Sequence, residues 1–262
     1  MATLQKRKLG DSDIEVSCLS LGTVKLGRNQ EVKYPTAFSL PSDREVQALL
    51  AKTKELGINL LDTAPAYGSS EQRLGRLLTD RENWVICSKV GEEFLAGTSV
   101  YNFDAEHVRR SIERSLRDLH TDYLDIVLIH SDGRDTYILD STDCVETLLK
   151  LKDEGLVRSV GMSSKTVEGG LQALENLDVV MATYNSEATE DGPVIEAAAA
   201  KNKGILVKKA LNSGHGATSA EGASQALQFA LSKSGVSSVI VGTINEAHLQ
   251  ANVEAAMGAS EV

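Results

Sequence analysis

Four side chains that can hold or move a proton follow apolar runs in the first half of the chain. Asp62 follows the apolar run Ile58 to Leu61, and Tyr67 stands five residues after Asp62. Lys89 and His130 each close a later apolar run. One such residue alone is often only the polar position at which a buried strand reaches solvent. Together, the four indicate acid–base chemistry at the ends of three successive strands.

Together, these residue types can act in general acid–base catalysis, in which a proton is added to an oxygen atom or taken from it. A tyrosine with an ordinary pKa of about 10 is a poor acid at neutral pH, and a nearby lysine cation lowers that pKa. Asp62 would pair with Lys89, and His130 would hydrogen-bond a substrate oxygen or relay the proton. The set contains no nucleophilic serine or cysteine and no metal ligand cluster. A hydride donor would complete the reduction of a carbonyl, and that donor must be a cofactor.

The elements that position these residues alternate between apolar strands and amphipathic helices. A turn-rich cluster at residues 10–13 separates two short segments, 6–9 and 14–17, and predicts an N-terminal hairpin. The predicted strands are residues 18–23, 58–62, 84–89, 123–130, 157–162, 179–183, 204–207 and 237–241. The predicted helices are residues 43–56, a helix that begins at 69–71, and then 104–119, 141–154, 165–175, 192–201, 220–231 and 245–256.

Eight strands that alternate with eight helices predict a parallel (β/α)8 barrel of the α/β class. A doubly wound sheet is the structural alternative, but it usually has fewer strands and a glycine-rich phosphate turn after the first. Residues 22–27 contain no GxGxxG pattern, which leaves that alternative with weak support. We expect one domain over residues 1–262, with the four side chains converging at the C-terminal mouth of the barrel.

The composition favours a soluble protein. The net charge of −10 argues against nucleic acid or an acidic membrane surface as a partner. Cys18, Cys87 and Cys144 are far apart, which predicts neither a disulfide framework nor a zinc site, and we expect no metal. The N-terminal segment has no apolar signal region and no apolar run reaches membrane-spanning length, so we expect a cytoplasmic location.

The segment from Asp62 to Gly75, DTAPAYGSSEQRLG, resembles the most distinctive motif of the aldo-keto reductase family. The resemblance continues over essentially the whole chain. Further similar segments are residues 88–91, 111–125 leading to the histidine at 130, 161–163 and 239–252. The resemblance implies a barrel whose N-terminal hairpin closes the bottom. It also implies reduction of an aldehyde or ketone with NADPH or NADH. By the matching positions, Tyr67 would be the general acid–base and Lys89 would depress its pKa. Asp62 would pair with Lys89, and His130 would orient the carbonyl.

The resemblance also implies a cofactor site on the second half of the barrel. Ser163 would touch the nicotinamide carboxamide, while Gly242, Thr243 and the start of the last helix would face the phosphates, as helix N-termini do. Lys208 and Lys209 could bind a phosphate or form a solvated basic pair. The candidate cofactor-binding residues are Thr23, Ser163, Ser164, Tyr184, Lys208, Lys209, Gly242, Thr243, Asn245, His248 and Asn252.

Several cofactor positions depart from the pattern of the family. Ser164 stands where Asn is common, Met181 where Gln is common, and Lys208 approximately where an aromatic residue often stacks on nicotinamide. Ile244 and Asn245 stand where an arginine commonly reads the 2′-phosphate. The family makes NADPH the preferred prediction and NADH the alternative.

The loops at residues 24–42, 91–103 and 131–139 would shape the substrate pocket. The first of these is polar and without periodicity, and loops of such length are usually functional or mobile. The aromatic residues of the three loops are Tyr34, Phe38, Phe94, Tyr101, Phe103 and Tyr137. We expect an open pocket for small, polar or varied aldehydes in a monomer or weak homo-oligomer.

Two other functions stay open on the sequence. Lys89 at a barrel strand end could be the nucleophile of a Schiff-base lyase, although Asp62 beside it would keep it charged. Alternatively, the chain could be a regulatory subunit that binds a nicotinamide cofactor with little turnover, because of the altered cofactor positions.

Overall fold

The computed structural model describes residues 4–34, 36–214 and 219–258, so residues 1–3, 35, 215–218 and 259–262 of the expected domain lie outside the described residues. The strands are β1 (Lys6–Lys8), β2 (Glu15–Ser17), β3 (Leu19–Gly22), β4 (Leu60–Asp62), β5 (Val85–Val90), β6 (Glu92–Leu95), β7 (Thr98–Tyr101), β8 (Leu124–His130), β9 (Val157–Ser163), β10 (Val179–Thr183), β11 (Gly204–Lys208) and β12 (Ser238–Val241). Eight of them close a parallel barrel in the order β10, β11, β12, β3, β4, β5, β8 and β9. The predicted (β/α)8 barrel is confirmed.

The helices cover the outside of the barrel, and some of them are short helices within the connections between strands. They are α1 (Val24–Gly27), α2 (Asp43–Glu55), α3 (Ser70–Leu77), α4 (Ala105–Asp118), α5 (Asp135–Ser141), α6 (Cys144–Asp153), α7 (Val167–Asn176), α8 (Gly192–Ala200), α9 (Ala220–Ser232) and α10 (Glu246–Gly258). None of the helices within the described residues is long and apolar enough to cross a membrane.

The N-terminal hairpin closes the bottom of the barrel, as predicted. β1 and β2 pair antiparallel. Leu9 and Val16 from this hairpin belong to one buried cluster with Leu128 and Leu206 of the barrel strands. A second buried cluster fills the layer between the strands and the helices. Because apolar side chains fill the lower interior, the carboxyl ends of the strands are the part of the barrel left for a site.

A second hairpin, β6–β7, was not predicted from the sequence. Its turn places Ala96 and Gly97 at φ +49° and +85°, the positive values that the favoured two-residue hairpin turns use. Ala-Gly is not the Asn-Gly or Asp-Gly signal that marks such turns in a sequence. The hairpin matters to the site because it begins with Glu92, just after β5.

The helix predicted from about residue 141 to residue 154 corresponds to α6, but the separate helix α5 before it was not predicted. Thr142 is extended, with φ −127° and ψ 161°, and it separates α5 from α6. The carboxylate of Asp135, at the start of α5, accepts hydrogen bonds from the backbone N–H groups of Lys165 and Thr166. α5 is therefore fixed by a contact with the next βα unit, which the local sequence does not show.

The long loop after β3 is anchored by arginines. Arg73 of α3 is buried and donates to the backbone oxygens of Leu26 and Pro41 at 2.6 and 2.7 Å, and its Nε lies 2.9 Å from Asp43 Oδ1. Arg28 donates to the backbone oxygen of Ala66 at 3.1 Å. These contacts hold both ends of the loop against the unit that carries Tyr67.

Candidate active site

The backbone between Asp62 and α3 is shaped by close packing against α1. Residues Pro65–Tyr67 form one turn of 3₁₀ helix, which Gly68 ends at φ +63°. A Cβ atom on Gly68 would lie 2.2 Å from the carbonyl oxygen of Gly27, so a larger residue does not fit here. This packing fixes the path of the chain on both sides of Tyr67 and places its ring at the mouth.

Asp62 and Lys89 form a buried ion pair across the ends of β4 and β5. Lys89 Nζ lies 2.5 Å from Asp62 Oδ1 and donates to the backbone oxygen of Thr63 at 2.9 Å. Lys89 is 1% exposed. Burial by itself lowers the pKa of Lys89, but the facing Asp62, Tyr67 and Cys87 outweigh it and raise that pKa above its ordinary value. Lys89 is therefore a fixed cation.

Tyr67 lies against this pair. Its hydroxyl is 3.4 Å from Asp62 Oδ2, and Lys89 Nζ is 4.7 Å from the centre of its ring. Burial and the Asp62 carboxylate raise the pKa of Tyr67 above its ordinary value, while Lys89 acts in the opposite direction. The predicted effect of the lysine is therefore present, but burial outweighs it. In this state Tyr67 keeps its proton at neutral pH and can donate it.

His130 completes the group from the end of β8. Its ring meets that of Tyr67 edge to face, with 6.3 Å between the ring centres. Its Nδ1 lies 2.9 Å from Oε2 of Glu92. Burial lowers the pKa of His130, Glu92 opposes this shift, and Lys89 and Lys208 add to it.

Glu92 is a site residue that the sequence analysis missed. It is 9% exposed, and Ser99 Oγ donates to its Oε1 at 2.6 Å, with Arg28 3.8 Å from the same oxygen. Burial raises the pKa of Glu92, but its hydrogen bonds and the Arg28 charge lower it to about 2 overall. The available signal was an acid three residues after Lys89, and only the unpredicted hairpin explains why it turns toward His130.

All four predicted catalytic side chains line one cavity of about 1070 Å³ at the mouth of the barrel. Glu92, Arg28, Ser99 and Tyr101 line the same end. From there the cavity extends between the N-terminal parts of α9 and α10. The predicted cofactor residues that line it are Ser163, Ser164, Lys208, Lys209, Gly242, Thr243, His248 and Asn252.

Three predicted cofactor residues are not among the residues that line the cavity. Thr23 is fully buried and its hydroxyl donates to the backbone oxygen of Asp62 at 2.9 Å. The ring of Tyr184 stacks on Phe229 of α9, because side chains alternate at the end of β10 and Thr183 takes the cavity side. Asn245 is exposed and its side chain accepts from the backbone N–H of residue 248 at the start of α10.

Lys208 stands on the cavity side of β11, where an aromatic residue was the family expectation. Its Nζ donates to Ser163 Oγ at 2.8 Å and to the backbone oxygen of Ser164 at 2.7 Å. Burial and the neighbouring Lys209 lower the pKa of Lys208 to about 7. Its ammonium group therefore ties β11 to the end of β9, and its charge is sensitive to pH.

The cavity carries unpaired positive charge although the chain is acidic overall. Lys89 pairs with Asp62, and Glu92 pairs with Arg28 and His130. In the part of the chain that the structure describes, five further lysines line the cavity with no carboxylate within 4.0 Å. They are Lys25, Lys33, Lys165, Lys208 and Lys209. This end of the barrel therefore favours an anionic ligand.

Comparisons with known proteins agree with this geometry. The model of the Aldo/keto reductase family matches residues 18–223. L-galactose dehydrogenase of Arabidopsis thaliana is 26% identical over 97% of this chain and 89% of its own length. The NADH-specific methylglyoxal reductase of Escherichia coli is 29% identical over 70% of this chain and 59% of its own.

Solved structures give the same result. A provisionally named aldo-keto reductase from Pseudomonas aeruginosa is 51% identical, with a TM-score of 0.91 and 98% of each chain covered. The holo form of an aldo-keto reductase from Bacillus halodurans has a TM-score of 0.81 at 24% identity, over 96% of this chain and 90% of its own, and shows the shared fold. The chain thus belongs to the aldo-keto reductase family of NAD(P)H-dependent oxidoreductases.

Proposed function

We propose that this protein reduces an aldehyde or ketone to an alcohol, with Tyr67 as the proton donor and a nicotinamide cofactor as the hydride donor. The observation that carries the proposal is the single cavity, which joins the acid–base group to a lysine-lined extension. The acid–base end provides a proton, and the extension suits a long anionic molecule. Carbonyl reduction needs the hydride at the carbonyl carbon and the proton at the carbonyl oxygen of the same substrate, so the two donors must share one cavity.

The protein residues divide the proton chemistry among them. Tyr67 holds the proton that goes to the carbonyl oxygen, and its buried position keeps it protonated until then. Lys89 stabilises the phenolate that remains, because its ammonium group lies 4.7 Å from the ring centre. Asp62 holds Lys89 in that place. When bound, the reduced nicotinamide supplies the hydride.

The residues of the extension fit a nicotinamide dinucleotide. Ser163 is the register partner of His130 on the neighbouring strand, and Lys208 donates to Ser163, so these two would hold the nicotinamide end. Lys33 and Lys165 each lie close enough to Lys209 to lower its pKa, in addition to the larger effect of burial. These three lysines would bind the phosphates together with the N-termini of α9 and α10. Of the altered positions, Lys208 places a basic side chain in the cavity where the family often has an aromatic residue.

We propose NADPH as the preferred cofactor, with a small margin over NADH. The unpaired lysines favour the more negative of the two. The first turn of α10 contains Glu246, however, and His248 is the basic side chain there that lines the cavity. NADH-specific reduction of methylglyoxal is the named activity of the Escherichia coli relative. The polar residues Arg28, Glu92 and Ser99 at the reaction end favour small polar carbonyl compounds of that kind.

The Schiff-base alternative has less support. A lysine nucleophile must be neutral, and Lys89 is held as a cation by Asp62 and by the backbone oxygen of Thr63. The alternative of a binding subunit with little turnover predicts an intact cofactor site that does not consume the cofactor.

One experiment separates the three functions. The protein is titrated with NADPH and NADH by calorimetry, and consumption of the reduced cofactor is then followed with a panel of aldehydes that includes methylglyoxal. Binding followed by carbonyl-dependent consumption is the expected result. Binding without consumption across the panel would instead support the binding subunit. A borohydride-trapped lysine adduct with a carbonyl compound, without cofactor consumption, would support the lyase.

A further inference from the structure

The contact between Glu92 and His130 influences which ring nitrogen carries a proton. Nδ1 of His130 lies 2.9 Å from Glu92 Oε2, and the oxygen lies off the N–H direction, so the contact is an ion pair rather than an aligned hydrogen bond. A carboxylate oxygen at this distance repels the lone pair of an unprotonated nitrogen and attracts an N–H, so the contact favours a proton on Nδ1. Glu92 is held for this role by Ser99 Oγ at 2.6 Å and by Arg28 at 3.8 Å from its other oxygen. Three side chains, His130, Ser99 and Arg28, therefore fix the position of the Glu92 carboxylate.

This arrangement leaves Nε2 as the ring nitrogen available to the cavity. Nδ1 is fully buried against Glu92, while His130 as a residue lines the cavity. A neutral imidazole has one N–H, and here Nδ1 holds it. Nε2 of the neutral ring is then an acceptor, which cannot donate to a carbonyl oxygen.

We propose that Glu92 is a positioning residue that keeps a proton on Nδ1 of His130, so that His130 can orient a carbonyl oxygen only as an imidazolium. The inference rests on the proposed carbonyl reduction. A charged ring would donate from Nε2 to the carbonyl oxygen, with the Glu92 carboxylate as its counter-ion. The neutral ring would instead accept from an alcohol hydroxyl, which suits the reverse reaction.

Charges on every element around His130 influence this balance. Glu92 of β6 favours the imidazolium, whereas burial and the cations Lys89 of β5 and Lys208 of β11 oppose it. Tyr67 meets the ring edge to face from the loop after β4. Because Glu92 is the acid in contact with the ring, its removal should shift the equilibrium strongly toward the neutral form.

The test is nitrogen NMR of the histidine rings in the whole protein, with His130→Gln to assign the signal. We expect the neutral ring of His130 to carry its proton on Nδ1. Glu92→Gln should lower the pKa of His130 by about one unit or more, a tenfold loss of proton affinity. In kinetics, the alkaline limit of kcat/KM for carbonyl reduction should move to lower pH in this variant by the same amount.

Glu93→Gln is the matched control, because Glu93 is the next residue of the same strand. It pairs with Arg114 at 2.5 Å and lies 3.6 Å from His107, away from the catalytic group. This variant should leave the pKa of His130 and the pH profile unchanged. Glu92→Asp, which withdraws the carboxylate but keeps an acid, should lower that pKa by a smaller amount.

Two results would overturn the proposal: a neutral His130 with its proton on Nε2, or equal pKa values in the wild type and Glu92→Gln. The tautomer of the wild type decides the question even if the variants do not fold. Since the NMR measurement needs no turnover, failure of this inference is separate from failure of the proposed reductase activity.

Discussion

Tyr67 and Lys208 line the same cavity, and burial shifts their pKa values in opposite directions. Burial strengthens the hold of Tyr67 on its proton, because the form that burial disfavours is the charged phenolate. The same physical cause weakens the hold of Lys208, because its charged form is the protonated one, and lowers its pKa to about 7. The cavity thus combines a stored proton with a positive charge that responds to pH.

Lys208 should make cofactor binding depend on pH. An anionic dinucleotide binds better while Lys208 is charged, so affinity should fall as the pH rises through and above about 7. We expect a loss of roughly tenfold between about pH 6 and 9, the equivalent of one pKa unit of coupling. Calorimetric titration with NADPH across this range measures it.

Lys208→Met should bind the cofactor weakly at all of these pH values and abolish this dependence. Lys201→Met is the control, since Lys201 pairs with Glu175 at 2.6 Å and does not line the cavity. Its pH dependence should match the wild type. A wild-type affinity that stays constant or rises with pH would contradict the role given to Lys208.

Individual site residues differed in how well the sequence could reveal them. Asp62, Lys89 and His130 end barrel strands, and such positions follow from the alternation of strands and helices alone. Glu92 could not be found that way, because its contact depends on how the β6–β7 hairpin folds over the mouth. The direction of a side chain beyond a strand end, as at Tyr184, also depends on tertiary packing.

At the scale of elements, Glu71 joins three parts of the barrel behind the site. It lies buried in α3, and it accepts hydrogen bonds from Ser88 of β5 at 2.5 Å and Ser115 of α4 at 3.1 Å. Burial raises the pKa of Glu71 to about 7. Glu71 lies in the first turn of the helix that follows Tyr67, so its hydrogen bonds hold the loop that carries Tyr67 to the barrel.

Glu71 should make the folded state less stable as the pH rises. Its pKa lies above the ordinary value of 4.5, so between about pH 4.5 and 7 the folded chain binds a proton that the unfolded chain has lost. Glutamine has the same shape as glutamate but does not titrate, so Glu71→Gln removes the loss of stability that the ionisation of Glu71 causes. Relative to wild type, the variant should gain about 2–3 kcal/mol in unfolding free energy between pH 5 and 8.

Urea denaturation of both proteins at the two pH values measures this gain. Glu146→Gln is the control, since Glu146 is an exposed partner of Lys150 on α6. Its difference from wild type should be nearly the same at both pH values. A Glu71→Gln difference that is also independent of pH would show that Glu71 is ionised in the fold.

The barrel strands were predictable because their apolar runs are fully buried and separated by helical periodicity. The connections were less so. α5 is short and is held by Asp135 contacts to a distant loop, and β6 and β7 form a hairpin with a weak turn signal. Such elements are stabilised by tertiary contacts that a local pattern does not contain.

At the scale of the whole molecule, stability and chemistry are concentrated at opposite ends of the barrel. The N-terminal hairpin fills the bottom with apolar side chains, and the cavity occupies the mouth. Charge is also distributed unevenly, because lysines without a carboxylate partner line the cavity at the mouth although the chain as a whole is acidic. Charge of this kind attracts anionic ligands from solution.

Leu9→Ala should therefore weaken the fold without changing the site. Leu9 is 1% exposed and packs inside the barrel bottom. Truncation of such a residue costs about 2–5 kcal/mol of unfolding free energy. NADPH affinity, measured by calorimetry at a temperature where the variant is folded, should stay within about twofold of wild type, about 0.4 kcal/mol. A much weaker affinity would mean that the two ends are coupled.

The proton donor is the central claim, and Tyr67→Phe tests it most directly. The measurement is kcat/KM for aldehyde reduction, with NADPH affinity determined on the same protein. Because the variant loses only the hydroxyl, we expect kcat/KM to fall by about 10²- to 10⁴-fold while the cofactor binds nearly as in the wild type. Full reductase activity in Tyr67→Phe would contradict the mechanism.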